Sequence, residues 1–231
     1  MEAMAEAYYQ YMKDQTVANF HGLRDYYALI KTLSKHERLD FGNICDAIYR
    51  TFGGLEDSAH KFIRILRSVA AKYKEDEIRP PPPSMTLVKN NLLDMEARHL
   101  MLIAHGDTAL CLLRLPQLRK ALNNPVVMLA SPFKDDEGDE HAYQQLSKII
   151  LYMEAGQQVI IKDHDHIYGA LYDMLNQNYT VHENARARKR FCRVALGDRQ
   201  SPPCHVDDKF RCIMLEEAGK IEDSDPPRLN R

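Results

Sequence analysis

Along roughly the first third of the chain, apolar residues recur three and four positions apart, the period of a helix that buries one face. The spacing predicts helices over residues 6–12, 23–33, 41–49 and 60–73. The last is the clearest case. Phe62, Ile63, Leu66, Val69, Ala70 and Tyr73 share one face, while Lys61, Arg64, Arg67, Lys72 and Lys74 take the other positions. One side packs and the other is solvated, and the basic face reads as solvent-exposed rather than as a dock for an acidic partner. Phe52-Gly53-Gly54 closes the third helix, since glycine accepts the left-handed backbone that a helix C-cap demands.

The sharpest break is Arg79-Pro80-Pro81-Pro82-Pro83-Ser84, where four prolines in a row offer no amide donors and favour an extended polyproline spacer. Residues 1–78 form the expected helical part, 79–84 the linker and 85–231 a second part. There the pattern changes to short apolar runs alternating with longer helical ones, the signature of βαβ units on a parallel sheet. Strands are expected over 99–104, 125–130, 158–162, 191–196 and 210–215. Helices are expected over 108–113, 140–154 and 167–176, with a loop over 197–203. Val126-Val127-Met128-Leu129 and Val159-Ile160-Ile161 are apolar at every position, which marks them as central strands covered on both faces. The fold class is therefore α/β with an all-helical N-terminal part.

Composition narrows the function classes. The chain has 231 residues, 45% hydrophobic, with 31 Lys and Arg against 33 Asp and Glu for a net charge of −2. That balance gives no bulk reason to expect a nucleic acid or an anionic membrane as partner, so any such partner must use a local patch. No stretch approaches the ~20 apolar residues of a membrane span, and the first residues lack the basic and apolar regions of a signal peptide. Cys45, Cys111, Cys192, Cys204 and Cys212 are odd in number and unclustered, which favours reduced thiols and a cytoplasmic setting.

The turn between the first expected strand and its helix is where a nucleotide-binding α/β domain places its phosphate loop. Here it reads His105-Gly106-Asp107-Thr108. A phosphate loop needs converging glycine amides, a Lys for the terminal phosphates and a hydroxyl for Mg²⁺. This turn has one glycine, no Lys, and an Asp that repels phosphate, so no intact nucleotide site is expected. Lys162-Asp163-His164-Asp165-His166 offers imidazoles and carboxylates at a strand end, but alternation splits them between two faces. It reads as a polar loop with Asp165 as N-cap of the next helix, and Asp163 lacks the neighbouring Glu of an ATPase acid pair. Cys192, Cys204, His205 and Cys212 lack the spacing of a zinc site. Arg186, Arg188, Lys189 and Arg190 read as an exposed connector before a strand, with a local anionic contact as the alternative, and no nucleophile elbow or triad is visible. Arg24 and Arg231 read, on spacing alone, as surface ion pairs.

Several motifs in order resemble the AAA+ core of the mysterin family, giant RING-type E3 ubiquitin ligases with a dynein-like series of AAA+ modules. They are Phe20-His21-Gly22-Leu23-Arg24-Asp25-Tyr26-Tyr27, Phe52-Gly53-Gly54-Leu55, Ala97-Arg98-His99-Leu100-Met101-Leu102, Ser131-Pro132-Phe133, Met153-Glu154-Ala155-Gly156, Leu171-Tyr172-Asp173-Met174-Leu175-Asn176-Gln177, Phe210-Arg211-Cys212-Ile213 and Pro227-Arg228-Leu229-Asn230-Arg231. The resemblance runs over most of the chain. It implies a fragment that joins the helical lid of one AAA+ module to the parallel-sheet core of a nucleotide-free one.

The resemblance also implies that Arg24 stands at a sensor-2-type position and Arg231 at an arginine-finger-type position. Arg228 departs from the aliphatic residue usual there. The segment is then expected to be a structural and coupling element without a complete active site or a ligand of its own. ATP and Mg²⁺ belong to neighbouring modules and zinc to a ligase region beyond Arg231. The implied partners are the adjacent AAA+ modules and, through the whole protein, a ubiquitin-conjugating enzyme, in the cytosol or at lipid droplets. A free-standing non-catalytic interaction protein and a dynein- or midasin-like ATPase are the alternatives, and no nucleic-acid partner is expected.

Overall fold

The computed structural model describes residues 2–15, 17, 20–131, 133, 138–184, 187–197 and 201–221. The chain divides into two compact units between Asn91 and Leu92. The first is helical: α1 (Glu2–Lys13), α2 (Leu23–Leu33), α3 (Phe41–Thr51) and α4 (Ser58–Val69). Its core centres on Phe52 and Phe62, stacked with centroids 4.6 Å apart, and Tyr11 sets its ring edge-on against both. The Tyr11 hydroxyl meets Nδ1 of buried His21 at 2.7 Å, and His21 Nε2 lies 3.1 Å from the Gly53 carbonyl. With both ring nitrogens satisfied and the side chain out of water, burial pulls the His21 pKa down to about 4.

The expected helix over 60–73 is shorter than its periodicity. It ends at Val69, Ala70 turns extended, and a separate 3-10 turn (Ala71–Tyr73) returns Tyr73 to stack on Phe41 at 5.1 Å. The glycine pair after α3 divides its labour. Gly54 carries the left-handed φ of 96°, whereas at Gly53 a Cβ would stand 2.6 Å from the Tyr49 carbonyl oxygen. The prolines do not lead directly to the sheet. They feed α5 (Ser84–Leu93), whose first amides bond the Pro83 carbonyl, because a missing N–H costs nothing just before and within a helix's first turn. The division of the chain falls inside this helix.

The second unit is built on a four-stranded parallel sheet in the order β1-β7-β3-β2, with β1 (Leu100–Ala104), β2 (Val126–Leu129), β3 (Gln158–Lys162) and β7 (Arg211–Glu217). Of the two runs expected to be central, β3 is and β2 is not. Among the described residues β2 closes an edge, with Val127 39% and Leu129 55% exposed, so its continuous apolar pattern marks one covered face, that of Val126 and Met128. Between the strands lie α6 (Thr108–Leu113) and α7 (Asp139–Glu154). The expected helix over 167–176 is two short ones, α8 (Asp165–Tyr168) and α9 (Tyr172–Leu175). Asp165 opens α8, and the N-cap position belongs to His164, which makes no side-chain cap. Leu146, Ile149 and Met153 of α7 pack with Val159, Ile161, Cys212 and Met214 in the core.

A second sheet was not foreseen: β4 (Thr180–Asn184), β5 (Ala187–Arg193) and β6 (Pro203–Val206), antiparallel in that order. The strand expected over 191–196 starts earlier and ends at Arg193, and the loop expected over 197–203 gives way to β6 at Pro203. Arg188, Lys189 and Arg190 lie within β5 rather than in a connector, while Arg186 is outside the described residues.

Candidate functional site

Because the strands of the parallel sheet share a direction, the ends of β1, β3 and β7 meet at one edge, where open α/β sheets bind ligands. There the turn His105-Gly106-Asp107-Thr108 leads from β1 into α6. Gly106 takes a left-handed φ of 60°, with open space where a Cβ would stand. Its N–H donates to Glu217 Oε2 at 2.8 Å, and Glu217 Oε1 lies 3.1 Å from His105 Nδ1. The Thr108 hydroxyl turns inward and donates to the His105 carbonyl at 2.8 Å. Lys162, at the end of β3, donates to Asp107 Oδ1 at 2.6 Å and stands 3.9 Å from Asp163 Oδ2.

The electrostatics follow from these pairings. The hydrogen bond and charge of Lys162 hold Asp107 below the usual carboxylate range. The Gly106 amide, with His105 assisting, does the same for Glu217. Lys162 is raised, first by its bond to Asp107 and then by the field of Asp163 and Glu217. Asp107 and Asp163 thus flank one ammonium, and Glu217 adds its field. A phosphate arriving here would meet a carboxylate already on the loop's one glycine amide and a lysine already neutralised. The arrangement latches three strand ends together. It does not present the converging donors that stabilise a transferring phosphoryl group.

Nor do the histidines and cysteines assemble a metal centre. Among the described residues no group of three His, Cys, Asp or Glu could hold an ion. His164 and His166 have ring centroids 5.8 Å apart. His164 is fully buried, its pKa drawn down by burial, and neither ring nitrogen has a partner among the described residues. Cys192 and Cys204 face each other across β5 and β6, whereas His205 opposes Phe191 on the other face of that sheet and Cys212 lies in the parallel sheet. Arg24 is half-buried in the first turn of α2, in the helical unit. Arg231 and Arg228 lie outside the described residues.

Three residues to which the sequence assigns no role of their own, Glu217, Arg211 and His99, organise the sheet edge and its far end. Glu217 is one of two acids closing an apolar run, and that position is its one signal in the sequence. Arg211, at the start of β7, is buried and donates to the Ala97 carbonyl, to that of Arg98 at 2.9 Å and to that of Asp94 at 2.6 Å, pinning the turn before β1. Beside it the Cys212 amide donates to His99 Nδ1 at 3.2 Å, and Tyr179 meets His99 Nε2 at the same distance. Burial, with Arg211 adding to it, keeps His99 neutral with a pKa of about 3.

A family model described as the RNF213 AAA domain matches residues 89–231. Over 99% of its length the chain is 28% identical to the human E3 ubiquitin-protein ligase RNF213. Over 92% it is 27% identical to the mouse protein of the same name and 28% identical to the zebrafish E3 ubiquitin-protein ligase rnf213-beta. The chain spans about 4% of the length of each of these relatives. A helical unit, a parallel α/β sheet and a turn at the phosphate-loop position, read with these matches, place the chain in the RNF213 AAA domain family.

Proposed function

We propose that the chain is part of an RNF213-like E3 ubiquitin ligase, in which it acts as a structural and coupling element between AAA+ modules without binding nucleotide itself. The observation that carries this reading is the Glu217 carboxylate on the Gly106 amide, with Lys162 committed to Asp107. Three strand ends held by such pairs move as one body, which suits an element that passes on a rearrangement generated elsewhere. Arg24 and Arg231 would serve neighbouring nucleotide sites, Arg24 as a sensor-2-like group and Arg231 as an arginine finger, with ATP and Mg²⁺ bound by those modules and zinc by the ligase region. Adjacent modules and a ubiquitin-conjugating enzyme are the corresponding partners, in the cytosol or at lipid droplets. Among the described residues no helix is long and apolar enough to cross a membrane.

Titrating the chain with a fluorescent ATP analogue in the presence of Mg²⁺ tests the reading. The expected result is no saturable signal at concentrations where an active AAA+ module saturates. Saturable binding that unlabelled ATP displaces would overturn it.

A further inference from the structure

The antiparallel sheet has two unlike faces. Directly opposed residues share a face, so the register puts Val181, Arg190, Cys192, Cys204 and Val206 on one side. Cys192, Cys204 and Val206 are buried in the core of the second unit. Arg190 is anchored on this side as well, donating to the Asp207 carbonyl at 2.9 Å, pairing with Asp208 at 2.9 Å and lying over the Tyr179 ring. Glu183, the acid of β4, opposes Arg188 on the same side. The basic cluster seen in the sequence is therefore split between the two faces, and Arg190 is committed to the fold.

The outward face carries Lys189, Phe191 and Arg193 along β5, flanked by His182 on β4 and His205 on β6. Lys189, Arg193 and His182 are exposed, while Phe191 and His205 are half-buried. The rings form a row across the three strands. His182 and Phe191 have centroids 5.3 Å apart at 85°, and Phe191 and His205 are 5.6 Å apart at 64°. No carboxylate stands on this face among the described residues. Alternation spaces Lys189, Phe191 and Arg193 about 6–7 Å apart along the central strand.

We propose that this face binds a single-stranded nucleic acid, its bases stacking on the Phe191 row and its phosphates pairing with Lys189 and Arg193. A row of aromatic rings between cations on a sheet face is the combination that single strands use, with stacking for the bases and ammonium or guanidinium groups for the backbone. An acidic peptide would satisfy the cations and leave the rings unused, so the observations favour the nucleic acid. The near-neutral charge of the chain, which argued against such a partner in bulk, leaves this local patch as the place for one.

The test is fluorescence anisotropy of the 231-residue chain with a labelled short oligouridylate, alongside a labelled oligoglutamate of equal charge, at low ionic strength. The oligouridylate is expected to bind saturably, with a salt slope of roughly −1.4 for two neutralised phosphates. The double variant Lys189→Glu/Arg193→Glu, at two exposed positions, is expected to weaken binding at least tenfold. Phe191→Leu, which keeps the apolar bulk and removes the π-face, is expected to weaken it about fivefold or more, while Phe191→Tyr retains it. Each variant is checked by its circular dichroism melt, and those that melt as the parent does are compared. The proposal is overturned by absence of saturable oligouridylate binding, by binding indifferent to the charge reversals or to Phe191→Leu, or by equally tight binding of oligoglutamate.

Discussion

Glu217 and Gly106, 111 positions apart in the chain, are joined by a hydrogen bond of 2.8 Å from the Gly106 amide to the carboxylate. The carboxylate does here what a bound phosphate does in a working phosphate loop: it satisfies the amide of a left-handed glycine at the sheet edge. Removing it should release the loop without creating a nucleotide site, since the turn has no Lys of its own. In Glu217→Ala we expect the Gly106 amide to exchange hydrogen at least tenfold faster than in the parent chain, with ATP binding still absent. Hydrogen exchange resolved to this segment reads the first outcome, and unchanged protection would show that the bond does not hold the turn.

Acid should weaken both units through their buried histidines. His21 and His99 have pKa values lowered from 6.5 to about 4 and about 3, so between those values and 6.5 the unfolded chain binds protons that the folded chain refuses. Stability is then flat above about pH 6.5 and falls as pH drops, by up to about 1.4 kcal/mol per pH unit for each histidine. Urea titrations across pH 8 to 4.5 measure the slope. His21→Gln should lower stability at pH 7.5 and flatten the acid limb of the helical unit.

How far the sequence reveals this molecule depends on where the information sits. The helix α2 and the strand β3 occupy the residues their patterns predict, because each is governed by a period that local residues display. The sheet β4-β5-β6 escaped notice because Arg188, Lys189, Arg190 and Arg193 put charge on both faces of β5 and conceal its alternation. β6 is only four residues long and begins at a proline. Half of the candidate site was legible, since His105-Gly106-Asp107-Thr108 is contiguous and its missing chemistry can be read off. The other half, Glu217 and the Lys162 to Asp107 pair, is made by parallel strands that the chain connects over long detours, so no local spacing announces it.

His164 has a cost that a substitution should relieve. Its side chain is fully buried and both ring nitrogens lack partners among the described residues, and a buried unsatisfied polar group costs roughly 1–3 kcal/mol. His164→Leu, close in volume and without polar atoms, should raise stability by about 1 kcal/mol and the melting temperature by roughly 2–4 °C. Differential scanning fluorimetry at pH 7.5 decides it. A lower melting temperature would mean that the imidazole is satisfied in a way its buried setting does not disclose.

The thiols should separate sharply in reactivity. Cys111 is exposed, whereas Cys45, Cys192, Cys204 and Cys212 are buried, and burial with the neighbouring Cys204 pushes the Cys192 thiol up to about 12. Since the thiolate is the reactive form, iodoacetamide under native conditions should modify Cys111 well before the others. Peptide mass spectrometry over a time course reads the order, and early labelling of Cys192 or Cys204 would show that the antiparallel sheet opens readily.

Arg211 begins β7 as Glu217 ends it. Its guanidinium is buried and donates to the carbonyls of Asp94, Ala97 and Arg98, in the turn between α5 and β1. Two nitrogens of one planar fork divide the three carbonyls between them, a spread that the single nitrogen of Lys does not match. Arg211→Met keeps most of the stem's packing and leaves those carbonyls without their charged donor, at a cost of about 2–3 kcal/mol. Arg211→Lys should recover less than half of that. Because β1 pairs with β7 from Leu100 opposite Ile213 to Ala104 opposite Glu217, loosening the turn frees the start of β1. The Gly106 amide at its far end should then exchange faster in Arg211→Met as well. Urea unfolding gives the energies and hydrogen exchange gives the reach. If stability falls while Gly106 stays protected, the two ends of the β1 and β7 pair are anchored independently, and the latch at Glu217 does not draw its rigidity from Arg211.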